Sequence, residues 1–348
     1  MVDYIKNEKM KSKERVFAAL KREEVDRNPV INPVSIANVE LMERCNTYFP
    51  HVHRDAEKMA TLAATGYEIL DFDSIAPYFS IQQEAAAFGC ELDWGKKDKM
   101  PDVKGALYHI PGDIKIPKNF LDHIAIKTVL NALKILKSKY NNEVALIGKV
   151  MGPWTLAYHL FGVQKFLMDT ILAPNMVNEI LDRLKEVTVK FANAQFEAGA
   201  DIVTVADHAT GDLVSAKCYT KFLKSIHQEI TTRINGPLIL HICGRTVDRM
   251  PDIAETGFKV FHFESKNAPQ EAREAVGNKI ILAGNIDNIQ VLLFGTPDDV
   301  KKAVFDNIDA GIEMIAPECA VPLTTPISNL QAIVTGVREY YNLSKNCV

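Results

Sequence analysis

Short apolar runs alternate along this chain with longer segments in which apolar residues recur at helical spacing. The short runs predict eight strands, because they have strand length and are bounded by turn residues. These runs cover residues 29–33, 69–75, 144–150, 201–205, 237–241, 260–263, 279–283 and 312–316. The clearest helices are predicted over 11–22, 176–198 and 297–310, the last with Thr296 as N-cap and Pro297 in its first position.

Eight strands separated by helices favour a closed (β/α)₈ barrel, the TIM barrel, over a doubly wound open sheet, which remains the alternative. We therefore expect an α/β fold with a single TIM-barrel domain over residues 1–348, preceded by an N-terminal helical segment. The gap between the second and third strands is long. Residues 80–140 in that gap are predicted to form an insertion, a small lid.

Composition excludes several classes of protein. The net charge is −4, so there is no basic excess to hold nucleic acid, and no apolar run approaches the roughly 20 residues of a membrane span. The charged, amphipathic start lacks the apolar core of a secretion signal, so we expect a cytoplasmic protein. The oligomeric state is left open, and a homodimer is compatible with the sequence.

The cysteines are scattered through the chain rather than arranged as a disulfide framework. They are Cys45, Cys90, Cys218, Cys243, Cys319 and Cys347. Cys243 and Cys319 follow predicted strands five and eight, whereas the other four are interpreted as structural. In a reducing compartment the relevant question is therefore whether the first two bind a metal.

Potential metal ligands follow several predicted strands at the ends that form the active face of an α/β barrel. His241 and Cys243 are two residues apart on an extended segment, so their side chains share one face. Together with Cys319 they make a Cys₂His set that suits Zn²⁺ and leaves a fourth position open. Taken singly, each is more often a buried structural residue, but together they favour a metal site.

Further polar residues at the same face are candidates for catalysis. Glu264 follows strand six and is either an exchangeable ligand, a partner that orients His241, or an ordinary carboxylate at the rim. Asp207 follows strand four and could bind substrate or a zinc ligand, or simply cap its loop. His208, beside it, is a candidate proton donor, as is His159 after strand three.

Aromatic residues follow strands two and three and are candidates for the walls of a substrate pocket. Tyr78 and Phe79 follow strand two, and Trp154 and His159 follow strand three. Aromatic walls suit a flat aromatic substrate. The alternative, that these side chains pack the barrel rim or the lid, is favoured slightly when each residue is taken by itself.

Four segments carry a resemblance to a known family. They are LILHICGRT, FHFESKN, LAGNID and APECAVPLTTP, within a similarity that extends from Lys13 to about Tyr341. The chain resembles the uroporphyrinogen decarboxylase superfamily, and within it the zinc-dependent, corrinoid-linked methyltransferases. The resemblance implies Zn²⁺ on His241, Cys243 and Cys319, and it maps the glutamate that recurs after strand six to Glu264. The arginine-rich N-terminal signature of the decarboxylase itself is absent, which disfavours decarboxylation.

The resemblance also implies the reaction, which is methyl transfer to or from the corrinoid of a partner protein. No D-x-H-x-x-G cobalamin motif is present in this chain. The coenzyme M enzymes of the group carry a Thr-Gln-Thr-like segment after strand one and Pro-Gly-Cys-Gly around the last ligand. This chain has Asn-Pro-Val-Ser (32–35) and Pro-Glu-Cys-Ala (317–320) at those places, so it looks more like the methoxyarene O-demethylase type.

The sequence-based expectation is therefore a zinc-dependent transfer of a methyl group from a methoxylated aromatic compound to cob(I)alamin on a separate corrinoid protein. The alternative is a methylcorrinoid:thiol methyltransferase of the coenzyme M type. Uroporphyrinogen decarboxylation and a non-catalytic zinc-binding role are further alternatives.

Overall fold

A computed structural model describes residues 8–345 of the chain, and Cys347 lies outside these residues. Its strands are β1 (Ser74–Ile75), β2 (Leu92–Asp93), β3 (Asp102–Val103), β4 (Ala145–Met151), β5 (Ile202–Ala206), β6 (Leu238–Ile242), β7 (Val260–Phe263), β8 (Ile281–Ile286) and β9 (Met314–Pro317). Its helices are α1 (Ser12–Lys21), α2 (Val39–Cys45), α3 (Ala56–Glu68), α4 (Gln83–Phe88), α5 (Ile124–Tyr140), α6 (Pro153–Phe161), α7 (Val163–Leu172), α8 (Pro174–Glu197), α9 (Ala216–Phe222), α10 (Lys224–Arg233), α11 (Met250–Ile253), α12 (Pro269–Val276), α13 (Pro297–Asp309) and α14 (Ile327–Lys345).

Seven parallel strands form a curved sheet in the order β1-β4-β5-β6-β7-β8-β9. The segment predicted as strand one closes it, because Val30 forms a parallel bridge with Ile315 of β9. On its other side the carbonyl of Val30 accepts a 2.7 Å hydrogen bond from the backbone of Asp73, next to β1. The predicted (β/α)₈ fold class is confirmed.

The predicted strands lie close to the observed ones, and the sixth, β7, matches residue for residue. The main discrepancy is the second, predicted over 69–75 but observed only at Ser74–Ile75. Ile69 is still the C-cap of α3, and Asp71 has a φ of 62°, so the chain turns here before it can extend. Apolar residues at 69–70 therefore cover the end of a helix instead of starting a strand.

The long segment between β1 and β4 contains α4, a small hairpin of β2 with β3, and α5. α5 packs against α3 and β4, so it is the crossover helix that a parallel barrel needs. The part outside the regular barrel pattern is therefore α4, the hairpin and the irregular chain that leads to α5.

The interior of the barrel is layered along its axis. Its lower layer, toward the N-terminal ends of the strands, is an apolar cluster that includes Ile31, Ile147, Ile202, Ile239, Val260, Ile281 and Met314. Two residues further along the strands, the same inward faces carry buried polar residues, namely Lys149, Thr204, His241 and His262. We call these four residues the polar layer, and it forms the floor of the site described below.

The N-terminal end of the barrel is closed by buried ion pairs. Arg15 of α1 and Arg27 both bind the carboxylate of Asp73, at 2.6 and 2.7 Å. Asp26 also binds Arg15, and Glu8 binds Arg27. Asp73 further accepts a 2.8 Å hydrogen bond from the backbone of Val30, so this cluster ties the first strand to the second.

Helix α13 begins where the sequence predicts. Thr296 caps α13, with a capping box completed by Asp299, and Pro297 occupies the first turn. In residues 8–345, no helix combines the length and the apolar character required to cross a bilayer.

Candidate metal centre at the barrel mouth

Three side chains from two distant parts of the chain converge at the C-terminal end of the barrel. The imidazole Nε2 of His241 lies 3.1 Å from Cys243 Sγ and 3.5 Å from Cys319 Sγ. The two sulfur atoms are 3.2 Å apart, and both cysteines are free thiols. The sequence prediction that these three residues share one site agrees with this geometry, and we call them the donor cluster.

The local backbone explains how the donors meet. His241 lies inside β6, where it pairs with His262 of β7 and Ala206 of β5, so its ring is fixed at the top of the barrel. Cys243 follows the last residue of β6, still on the same face. The next residue, Gly244, has a φ of 75°, and a Cβ there would lie 2.1 Å from Thr210 Oγ1. Only glycine lets the chain turn away here.

Cys319 is held by its neighbour Glu318, which sequence analysis did not single out. The carboxylate of Glu318 accepts hydrogen bonds from the backbone of Ser265 and of Asn288, each 2.8 Å long. These residues follow β7 and β8, so Glu318 fastens the loop after β9 to the two loops beside it. Burial raises the pKa of Glu318.

The pKa values of the three donors are shifted in different directions. The hydrogen bond between the two thiols raises the pKa of Cys243, and burial adds to this. The same hydrogen bond lowers the pKa of Cys319. Burial, with the neighbouring His262 and His208, lowers the pKa of His241 well below its usual range, so its ring is neutral. A neutral imidazole and an easily formed thiolate are the protonation states that bind metal.

The donor set fits a small tetrahedral cation. Zinc bonds of about 2.0–2.3 Å place their ligand atoms roughly 3.5–3.8 Å apart. The observed separations of 3.1 to 3.5 Å are within about half an ångström of that spacing. Cys243 and Cys319 are each partly exposed, so the cluster has an open side toward the barrel mouth.

Two further predicted residues adjoin the cluster. His208 Nε2 lies 3.9 Å from Cys243 Sγ, and its ring is partly exposed. Burial and the charge of Lys149 lower the pKa of His208, so it is a neutral neighbour on the open side. Glu264 accepts a hydrogen bond from the backbone N–H of Gly244, so it holds the turn that follows Cys243.

Asp207 lies behind the cluster and is fully buried. One carboxylate oxygen accepts a 2.8 Å hydrogen bond from the backbone of Thr155, and the other lies 3.0 Å from His227 Nε2. A Cβ at Gly152 would meet this carboxylate at 2.2 Å, so a glycine is required there. The structure does not bring Asp207 to the open side, and its observed contacts fix the start of α6.

The predicted pocket aromatics divide into two groups. Tyr78 lies near the polar layer, with its ring 5.1 Å from Lys149 Nζ, and His159 is close enough to His208 for the titrations of the two rings to be coupled. Burial and His208 lower the pKa of His159 to about 4. Phe79 instead packs on Phe49, with ring centroids 5.9 Å apart.

Trp154 is not brought to the donor cluster. Its ring is completely buried, 4.9 Å from the ring of Phe166 in α7 and 6.2 Å from that of Phe222 in α9. It therefore packs outside the sheet, between helices. The physical reason is that α6 begins directly after β4 and carries Trp154 toward the neighbouring helices α7 and α9.

Besides Glu318, sequence analysis missed the buried polar residues Lys149, Glu84 and His53. Burial raises the pKa of Glu84 to about 7, and its carboxylate accepts hydrogen bonds from Tyr78 and from the backbone of Met151. Lys149 carried a usable signal, because it interrupts an otherwise apolar strand. His53 and Glu84 lie in helical segments with no such contrast.

The chain is similar to known proteins along most of its length. The family model described as uroporphyrinogen decarboxylase (URO-D) matches residues 11–340. The chain is 33% identical to a methylcobamide:CoM methyltransferase, MtaA, of Methanosarcina barkeri, over 94% of this chain and 98% of that protein. It is 32% identical to a methylated-thiol–coenzyme M methyltransferase of Methanosarcina mazei, over 93% of this chain and 88% of that protein.

A solved structure of a methyltransferase from Methanosarcina mazei superimposes with a TM-score of 0.92 at 32% identity. The match covers 96% of this chain and all of that one. The relatives named here are methyltransferases, two of which are named for coenzyme M, so the comparisons favour the thiol alternative over the methoxyarene expectation. The chain belongs to the uroporphyrinogen decarboxylase family and is an enzyme of its methyltransferase branch.

Proposed function

We propose that this enzyme transfers a methyl group between a corrinoid carried by a partner protein and a small thiol, with Zn²⁺ held by His241, Cys243 and Cys319. One observation carries the proposal: two thiols and a neutral imidazole lie within 3.5 Å of one another, with an open side at the mouth of the barrel. A structural zinc site is normally closed by four protein ligands, whereas a catalytic one keeps a position for substrate.

Two observations favour a thiol substrate over the methoxylated aromatic compound expected from the sequence. The relatives named above include enzymes whose names specify coenzyme M or a methylated thiol. In addition, Trp154 and Phe79 pack away from the donor cluster, which removes two of the aromatic walls that suggested a flat aromatic substrate. The departures from the coenzyme M motifs at 32–35 and 317–320 leave the identity of the thiol open.

The methyl transfer itself is a substitution at carbon. The thiolate sulfur attacks the methyl carbon, an S–C bond forms, and the Co–C bond breaks with its electron pair on cobalt. When bound, zinc supplies Lewis-acid chemistry that lowers the pKa of a coordinated thiol. The proton of the thiol must leave the mouth, and His208 is the candidate to carry it, because its Nε2 lies 3.9 Å from Cys243 Sγ and the residue is partly exposed.

The protein holds the donor atoms in fixed positions. Glu264 and Glu318 hold the turns that carry Cys243 and Cys319, so the sulfur atoms keep their place when a proton leaves. His241 is held by strand pairing on both sides. Such fixed donors need little reorganisation during the reaction, which is the usual source of electrostatic catalysis.

The corrinoid belongs to the partner in this proposal. Because methyl transfer needs the reacting sulfur and carbon in line with cobalt, the partner must cover the open side of the donor cluster. The relatives that are named for methylcobamide are consistent with such a partner.

The test uses the full-length protein loaded with zinc and then freed of excess metal. Incubation with methylcobalamin and 2-mercaptoethanesulfonate, 3-mercaptopropionate or 2-mercaptoethanol is followed by the visible spectrum of the corrinoid and by mass spectrometry of the methylated thiol. A parallel incubation contains cob(I)alamin and a methoxybenzoate. We expect thiol methylation in the first series and no demethylation in the second.

Cys319→Ser is the matched variant, because it keeps the shape of the side chain and weakens a single donor. It should retain the far-ultraviolet circular dichroism of the wild type but bind less zinc and lose methyl transfer. Methyl transfer at the wild-type rate by metal-free protein, or demethylation of the methoxybenzoate alone, would refute the proposal.

A further inference from the structure

Lys149 occupies an unusual place for a lysine. It lies on β4, two residues beyond Ile147 of the apolar layer, so its side chain is part of the polar layer inside the barrel. Only 1% of the residue is exposed. Lysine is among the residues least often buried without a partner, because removing an ammonium from water is costly.

The ammonium of Lys149 has few partners within residues 8–345. Its Nζ donates one hydrogen bond, 3.1 Å long, to the carbonyl of Val34, and it lies 5.1 Å from the centre of the Tyr78 ring. No carboxylate of the described chain forms an ion pair with it. An ammonium has three hydrogens to donate, so two of them remain for another acceptor.

His53 is another buried donor, and it has no hydrogen-bond partner among the described residues. Neither ring nitrogen has a hydrogen-bond partner among the described residues, and the residue is completely buried. Its ring lies between Phe49 and Trp94, the latter from the hairpin between β2 and β3. Burial and then the charge of Lys149 lower the pKa of His53 to about 3, so His53 is neutral, lies within electrostatic range of Lys149, and has one N–H to donate.

Lys149 also acts on the donor cluster. Its charge lowers the pKa of Cys319, and it contributes to the lowered pKa values of His241 and His208. Burial lowers the pKa of Lys149 itself to about 8, so the side chain is mostly charged at neutral pH. The positive charge, which has no ion-pair partner among residues 8–345 but is within electrostatic range of Glu84 and Cys319, therefore also reaches the reacting site.

We propose that Lys149 and His53 form a subsite for an anionic group, a carboxylate or a sulfonate, at the end of the substrate remote from its sulfur. As an assignment to the thiol substrate, this inference rests on the proposed function. The anion completes the hydrogen bonds of the ammonium and of one ring N–H. Lys149 is then a determinant of specificity that selects charged thiols over neutral ones of the same length.

The first experiment needs neither metal nor catalysis. Saturation-transfer NMR and calorimetry measure binding of propionate and of ethanesulfonate to the zinc-free protein, with 1-propanol as the uncharged control. We expect at least one anion to bind the wild type, and Lys149→Met and His53→Phe to weaken that binding. The two anions distinguish a carboxylate from a sulfonate site.

Lys149→Met keeps the length of the side chain and removes only its charge, so the barrel should remain folded. Lys302→Met is the matched control, since Lys302 is a surface lysine of α13, 75% exposed in its side chain. Equal binding of the anions to wild type and Lys149→Met, or no binding to the wild type, overturns the inference.

The second experiment compares thiols in methyl transfer from methylcobalamin. In Lys149→Met the KM for the charged thiol, divided by the KM for 2-mercaptoethanol, should rise roughly ten- to a hundredfold, as expected for the loss of a charge-assisted hydrogen bond. If the wild type binds the anions but methylates no thiol, the proposed function fails and the anion subsite remains. If both thiols respond equally to Lys149→Met, the specificity role is wrong although methyl transfer stands.

Discussion

Buried cationic side chains lie at both ends of this barrel, but they differ in how many partners they have. At the N-terminal end, Arg15 and Arg27 are matched by the carboxylates of Asp73, Asp26 and Glu8, all within hydrogen-bond distance. At the C-terminal end, Lys149 has one backbone carbonyl as its hydrogen-bond acceptor among residues 8–345.

The difference separates a structural role from a functional one. A buried charge with a full set of partners is locked in place and contributes to the geometry of the fold, whereas one with vacant hydrogen-bond positions favours a ligand that supplies them. The same chain therefore builds one end of the barrel as a closed support and the other as a site with unused binding capacity. Four experiments test this contrast.

The largest effect is expected from the donor cluster. Cys243→Ala should reduce methyl transfer by at least about a thousandfold, equivalent to about 4 kcal/mol, because it removes one of the proposed metal donors. Zinc content, measured by atomic absorption, should fall in parallel. The unfolding free energy of the metal-free protein should change by much less, and an equal loss of stability and activity would mean that the cluster is structural.

The next largest effect is expected at the opposite end. Asp73→Asn leaves two buried guanidinium groups without their shared carboxylate, which typically costs about 3–5 kcal/mol of unfolding free energy. Urea unfolding measures this loss. Zinc content and methyl transfer per folded molecule should be unchanged at low temperature, and a selective loss of zinc would contradict the separation of roles.

Lys149→Met should change the free energy of unfolding in the opposite direction from Asp73→Asn. Burial lowers the pKa of Lys149 to about 8, against 10.5 for the free side chain, so the folded state disfavours the charged form. Below pH 8 the wild type carries this cost in full, and above pH 10.5 it carries none. The variant should therefore be more stable at neutral pH, by up to roughly 3 kcal/mol.

The measurement is urea unfolding of both proteins from pH 7 to pH 11. The advantage of Lys149→Met should be constant at the lower end and disappear as the pH rises through the interval between the folded and unfolded pKa values. A variant that is less stable than wild type at pH 7 would show that Lys149 supports the fold.

The smallest effect concerns Asp26. Burial alone would raise its pKa, but hydrogen bonds from Arg15 and from the backbone of Met10 outweigh it and lower the pKa of Asp26 to about 2. The stability that ionised Asp26 provides is present above its unfolded pKa of 3.8 and is lost as the pH falls toward 2. Asp26→Asn should thus be less stable than wild type at pH 5, and the two should converge in acid, as followed by circular dichroism.

Much of the fold could be predicted because strand periodicity survives in the sequence. The run at 260–263 gave its strand without error, and most others were displaced by only one or two residues. Asp201 illustrates the displacement. It was assigned to a strand, but it lies just before β5, and its carboxylate accepts hydrogen bonds from Lys13 and from the backbone of Leu146 in β4. Such a cap depends on residues far away in the chain, which local patterns do not contain.

The site was predictable where residue type alone restricts the chemistry. His241, Cys243 and Cys319 are typical metal ligands at strand ends, and the barrel brings them together. Lys149 and His53 were not identified, because what makes them notable is the absence of a partner, and that is a property of the assembled interior. The packing of Trp154 against Phe166 and Phe222 could not be predicted either, since a large ring near a site can face either side of its helix.

The wide separation of the donors in the sequence has a consequence for biogenesis. Cys243 follows β6 and Cys319 follows β9, and two further strands lie between them in the sheet. A nascent chain that has not yet completed its final strand can present only two of the three donors. Under the proposed function, high-affinity capture of Zn²⁺ is therefore expected to be a late event, coupled to closure of the last strand against the first, and a prematurely terminated polypeptide should compete poorly for the metal.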